Sequence, residues 1–194
     1  MKKSTYILFA LLLFTSAVNA QNAARIKYVN HTEVGGLFGR VKFDNQYNGN
    51  LEQVENRNSM TAQTFNGIQV NKRLATGVTV GMDWYRAALL TPIAAGLRYD
   101  LTKNGGVKLY GTVDAGYGFA WFHDDAEGFD TSGGLMLNPG VGLRFGKDGG
   151  PGFTLAFTYK RQEAEVDKPP LWGQTERSEH RVYNRLALRL GLSF

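Results

Sequence analysis

Arg181-Val182-Tyr183-Asn184-Arg185-Leu186-Ala187-Leu188-Arg189-Leu190-Gly191-Leu192-Ser193-Phe194 closes the chain, and its reading decides the fold. Counted back from Phe194, one parity carries Leu192, Leu190, Leu188, Leu186 and Val182, with Asn184 as the interruption. The other carries Ser193, Gly191, Arg189, Ala187, Arg185, Tyr183 and Arg181. Successive side chains of a strand point to opposite faces, so this segment is a ribbon with one apolar and one cationic face. A strand whose outside is lipid and whose inside is a polar lumen has this pattern.

Working outward, the same alternation recurs along the chain. It predicts strands over 33–44, 62–72, 77–86, 91–101, 107–121, 134–146 and 153–163, followed by 181–194. In the first, Leu37, Val41 and Phe43 read as outward, with Phe38, Arg40 and Lys42 inward. Pro139 has no ladder donor, so a bulge or bend is expected beside it. Turn residues cluster around Ala75-Thr76, Asn104-Gly105-Gly106 and Asp148-Gly149-Gly150-Pro151, where connections are tight. The intervening connections are long apart from the one near 87–90. The fold class that follows is all-β, an eight-stranded antiparallel up-and-down transmembrane barrel with its short turns at one end. Trp84, Tyr99, Trp121 and Tyr159 near strand ends fit interfacial girdles.

The N-terminus reads as an export signal. Lys2 and Lys3 precede the apolar run 7–14, and Val18-Asn19-Ala20 forms a small-residue exit, so 1–20 is expected to be a cleaved signal peptide. That leaves 21–32 as a short periplasmic lead and 33–194 as the barrel. Losing Lys2 and Lys3 lowers the formal charge from +5 to +3. Mean hydropathy is −0.28, which a barrel tolerates because half of each strand faces a polar interior. There is no cysteine, so disulfides and thiolate metal sites are excluded. The four connections at the long end hold ten acids against Arg57, Lys168 and Arg177. The bases are therefore concentrated in the lumen and short turns.

With its eight alternating segments and the ending Leu190-Gly191-Leu192-Ser193-Phe194, the chain resembles the small outer-membrane barrels of the OmpA-transmembrane-domain and OmpX type. The stretch Gly67-Ile68-Gln69-Val70-Asn71-Lys72-Arg73-Leu74-Ala75-Thr76-Gly77-Val78 resembles the strand–turn–strand of many uncharacterised members. The resemblance implies a bacterial outer-membrane location with extracellular loops and periplasmic termini. It implies outer-membrane lipid and lipopolysaccharide as surroundings, and the barrel-assembly machinery as a partner in biogenesis. Leu190, Leu192 and Phe194 would form the assembly signal. No peptidoglycan-binding domain is expected beyond Phe194.

Four kinds of chemistry compete for such a barrel. A lipid A-modifying hydrolase needs a nucleophile, a base and an orienting acid in reach of one another. Neither His123-Asp124-Asp125 nor His180-Arg181-Val182 carries the His-x-Ser motif of the barrel deacylases, so these two histidines read as solvated loop residues, and the third, His31, ends the polar lead. The acids Asp124, Asp125, Glu127 and Asp130 lack the spacing of a calcium loop, so no metal and no cofactor is expected. For a narrow anion-preferring pore, the inward residues matter: Arg40, Lys42, Asp83, Arg98, Asp100, Lys108, Asp114, Arg144, Lys160, Arg185 and Arg189. An eight-stranded barrel is only wide enough for its own side chains, so these read instead as a packed polar network. The fourth is partner binding: Pro169, Pro170, Leu171 and Trp172 form a stiff candidate contact loop for an envelope protein. Nucleic-acid binding is not expected, because the bases are lumenal and periplasmic rather than on an exposed face. The reading reached is a non-enzymatic barrel with a structural or interaction role, namely membrane integrity, adhesion or service as an accessory subunit.

Overall fold

The computed structural model describes residues 27–45, 51–85, 88–102, 105–125, 128–146, 150–168 and 177–194, with backbone alone at 40–45, 51–57, 168 and 177. These form nine strands: β1 (Lys27–Asn45), β2 (Leu51–Gln69), β3 (Leu74–Tyr85), β4 (Ala88–Asp100), β5 (Val107–Phe119), β6 (Asp130–Ser132), β7 (Gly134–Gly146), β8 (Gly152–Lys168) and β9 (Arg177–Ser193). Every pairing is antiparallel. Neighbours follow chain order, and β9 pairs with both β8 and β1, so the sheet closes on itself. The β1–β9 ladder runs from His31↔Ser193 to Phe43↔Arg181. Phe194 completes it, since its N–H donates to the Asn30 carbonyl and its carbonyl accepts from the Asn30 N–H, both at 3.0 Å.

β6 and β7 are one stave of the barrel, broken by a bulge. Ser132 pairs with Glu165, while Met136 pairs with Gln162, so the β6–β7 side holds one more residue than β8 across that interval. The wall is therefore eight staves. The bulge sits at Gly133-Gly134, not at Pro139 as expected: pairing is in the same register at Leu137↔Arg161 and Gly140↔Thr158, on either side of the proline. Pro139 removes a rung without inserting a residue. At Gly133 a β-carbon would lie 1.7 Å from the Gly118 carbonyl oxygen, so only glycine fits where β5 and the bulge approach.

The apolar parity faces out and the polar parity faces in along β3, β4, β5, β7, β8 and β9. In β1 the expected parity is reversed. Leu37 is fully buried and Phe38 is 46% exposed. Arg40 and Lys42, expected inside, lie where only the backbone is described. β1 also starts six residues ahead of the expected Glu33, which brings His31 into the wall. β2 begins at Leu51 rather than at residue 62, and β8 and β9 extend to Lys168 and back to Arg177. Much of what reads as long loops is strand. Residues 51–59 of β2 rise past the last β3 pair, Met60↔Trp84, a height of roughly 30 Å at full extension. The barrel is thus tall along β8, β9, β1 and β2 and low at the β3–β4 connection. Glu165 and Asp167 stand exposed on this tall wall, while Glu179 is buried.

Candidate functional site

The inward parity places the buried carboxylates of Glu33, Asp83 and Asp114 in the lumen, and each is a hub. Asp114 accepts from Arg98 Nη1 at 2.8 Å, from the Thr79 hydroxyl at 2.7 Å and from Asn138 Nδ2 at 3.0 Å. Asn138 Oδ1 in turn accepts from Thr158 at 2.6 Å, and Arg189 Nη2 donates to Thr158 at 3.0 Å. Glu33 accepts from Arg189 Nε at 3.2 Å, from Gln63 at 3.0 Å and from the Tyr110 hydroxyl at 3.1 Å. Asp83 is ion-paired with Lys160 and accepts from Thr61 at 2.7 Å. Glu33 and Asp114 are joined through Arg189, Thr158 and Asn138, so their network crosses the lumen from β1 to β5. In a low-dielectric interior such bonds are individually strong, and removing a partner is costly.

Aromatic and aliphatic side chains fill what the network leaves. Toward the tall end Tyr85 stacks on Tyr183 at 4.2 Å, within a buried cluster of Leu37, Ala88, Leu90, Ala164 and Ala187. Arg185 lies 5.9 Å from both tyrosine rings and donates from Nη1 to the Gly39 carbonyl at 2.6 Å. Toward the short-turn end Arg98 sits over the Phe65 ring at 4.3 Å, and His31 meets Phe65 and Tyr110 edge-on. Gly142 leaves the room that Tyr110 occupies: a β-carbon there would lie 2.3 Å from the ring.

Of the residues assigned to the lumen from sequence, Asp83, Arg98, Asp114, Lys160, Arg185 and Arg189 are buried in this assembly. Lys108 and Asp100 pair at 3.7 Å at the short-turn end, with Asp100 partly exposed, and Arg144 is half-buried nearby. Sequence reasoning missed Glu33, His31 and Gln162. Glu33 supplies Arg189 with its counter-charge. Gln162, fully buried, donates to the carbonyls of Gly134 at 3.0 Å and Glu163 at 2.8 Å, bracing the bulge.

His123 is not a free loop histidine. Its Nδ1 accepts from the Leu89 N–H at 3.3 Å, and its Nε2 lies 3.3 Å from Asp125. Asp125 also accepts from the Thr131 N–H at 2.9 Å, so His123 and Asp125 strap the loop after β5 to the starts of β4 and β6. His180 is exposed, whereas His31 is buried. Among the described residues no group of three or more histidine, aspartate or glutamate side chains is placed to hold a metal ion. The candidate contact loop, Pro169, Pro170, Leu171 and Trp172, lies outside the described residues. Leu190, Leu192 and Phe194 line up exposed on the outer face beside the β1–β9 closure.

No family model matches the chain, and no curated protein matches it in sequence. Solved structures do match in shape. The outer membrane protein OprG from Pseudomonas aeruginosa superposes with a TM-score of 0.51 at 11% identity, over 86% of this chain and 93% of that one. The N-terminal β-barrel domain of OprF from the same organism gives 0.50 at 10% identity, over 88% of this chain and all of that one. The closed eight-stave wall, its outward apolar parity and these likenesses identify the fold as that of the small eight-stranded β-barrels of the bacterial outer membrane.

Proposed function

We propose that this chain is a non-enzymatic barrel of the bacterial outer membrane, serving membrane integrity, adhesion or an envelope complex through its tall end. Its short turns and both termini would face the periplasm, and its tall wall and loops the exterior. Leu190, Leu192 and Phe194 would be read by the barrel-assembly machinery before closure, and the outer belt would contact lipid and lipopolysaccharide. The observation that carries this reading is the ion-paired lumen. Glu33, Asp83 and Asp114 are all bonded to other staves, some of them across the lumen, which favours a rigid strut over a conduit. A rigid barrel is a scaffold, and the elements it presents are the tall wall and the candidate contact loop.

Two measurements test the reading. In planar bilayers the refolded protein is expected to give no steady single-channel current; a reproducible, anion-selective conductance would replace the strut by a narrow pore. Substituting 169–173 by a Gly/Ser linker is expected to abolish co-purification of envelope partners while the heat-modifiable folded band persists. Undiminished capture by that variant would remove the loop from the contact.

A further inference from the structure

The outward face is not apolar everywhere. On β1 and β2, Tyr28, Asn30, Thr32, Thr64 and Asn66 all lie on the outward parity, with Asn30 directly opposite Asn66 and Thr32 directly opposite Thr64. Exposed apolar residues enclose this island. Val34 lies on one side along β1 and Ile68 on the other along β2; Val78 stands beside Asn66 on β3, and Leu192 beside Thr32 on β9. The island is therefore inside the apolar belt rather than beyond its edge. Amide groups facing hydrocarbon are costly unless their hydrogen bonds are met by protein.

Most of them are met within the island, and the remainder can be counted. Asn30 Nδ2 spends both hydrogens, on Thr64 Oγ1 at 3.1 Å and Asn66 Oδ1 at 2.8 Å. Asn66 Oδ1 also accepts from the Tyr28 hydroxyl at 2.5 Å, which uses both its lone pairs. Thr32 donates to Asn30 Oδ1 at 3.0 Å, so the Thr64 hydroxyl donates to Thr32 across 3.0 Å. Asn66 Nδ2 gives one hydrogen to Thr64 at 3.2 Å. Two amide valences remain: one N–H on Asn66 and one lone pair on Asn30 Oδ1.

That remainder is self-complementary. In a two-fold interface, whatever residue i of one copy gives to residue j of the other is returned in kind. A second barrel turned about an axis through the island offers an Asn30 oxygen to each free Asn66 N–H. The patch is uncharged, so two copies do not repel. Val34 and Ala62, directly opposite each other, continue the same outward face with small groups, which lets two walls approach beside the island. We infer that the β1–β2 wall is a dimerisation surface within the membrane, occupied by a second copy of this chain through reciprocal Asn66–Asn30 hydrogen bonds. The inference rests on the placement of the apolar belt in a bilayer.

The absence of native cysteine makes the test direct. Val34→Cys places one thiol beside the island, and Leu137→Cys places one on the far wall, on β7; both positions are exposed. The full chain is reconstituted into phosphatidylcholine vesicles at increasing dilution in lipid, and disulfide-linked dimer is measured after mild oxidation. Val34→Cys is expected to cross-link about tenfold more than Leu137→Cys at high dilution. Adding Asn30→Leu and Asn66→Leu should erase that excess while the heat-modifiable band remains. Asn66→Leu alone removes the free donor and should do the same, should the double variant fold poorly. Equal yields at the two walls, or an excess that survives Asn66→Leu, would overturn the inference. So would a different polypeptide captured at Val34 in native outer membranes. Protein that fails to float with the vesicles would instead sink the membrane placement itself, and this interface with it.

Discussion

Asp114→Ala is expected to cost about 3–5 kcal/mol, enough to remove most of the folded population at modest urea. Asp114 is fully buried and touches Arg98, Thr79 and Asn138. Truncation leaves the Arg98 guanidinium in the lumen without its carboxylate, and a buried charge stripped of its partner is the expensive outcome. Thr79 keeps a long contact with Arg98 Nη2 at 3.5 Å, and Asn138 keeps its bond from Thr158. The loss is therefore concentrated on the arginine. Asp114→Leu combined with Arg98→Met should recover most of the stability, because replacing both members of a buried pair by apolar groups is often neutral. Urea titration of the heat-modifiable band in the two single variants and the double variant gives the coupling. Near-additive losses would mean that lumenal water already screens the pair, and the strut reading would lose its main support.

The architecture was legible because lipid and lumen impose opposite chemistry on alternate residues. β4, β5 and β7 to β9 show it in long alternation, broken in β9 only at Asn184, and the tight turns near Gly105 and Gly150 fix which segments are neighbours. β1 was misread for a physical reason. Gly35, Gly36 and Gly39 carry no side chain to register a parity, so Arg40 and Lys42 decided the assignment and put Leu37 on the wrong face. The same error hid Glu33, which belongs to the parity of Leu37 and His31. The bulge at Gly133 escaped notice because Pro139 is the more conspicuous ladder breaker, while a Gly-Gly pair reads equally well as loop. The heights of β2, β8 and β9 were underestimated for another reason. Above the belt, water bathes much of the wall, so polar residues such as Glu165, Asp167 and His180 occur where alternation would otherwise mark a strand. The three-hub network could be anticipated only as composition. Which acid serves which base depends on stagger between staves, and alternation within one stave carries no information about that.

The closure itself yields the second large effect: Gly35→Val is expected to prevent a closed barrel from forming. Gly35 pairs with Arg189 in the ladder that joins the first and last strands, and a β-carbon there would lie 2.0 Å from the Leu188 carbonyl oxygen and 2.7 Å from the Arg189 α-carbon. No rotamer relieves a clash with backbone, so β1 and β9 would have to separate locally. Separation in lipid exposes ladder N–H and C=O groups with no water to meet them. It also pulls Arg189 from Glu33, which is ion-paired to it at 3.2 Å diagonally across the same ladder. Gly35→Ala presents the same β-carbon to the same backbone atoms and should impair closure as well, though with fewer added clashes than valine. Gly106, whose β-carbon would meet nothing within 4 Å, serves as the control, and Gly106→Ala should be close to neutral. The readout is the folded band on unheated gels together with protease resistance in vesicles. A Gly35→Val protein that closes with wild-type yield would mean that the β1–β9 seam is looser than its register requires. The eight-stave ring would then be held by its other seven ladders.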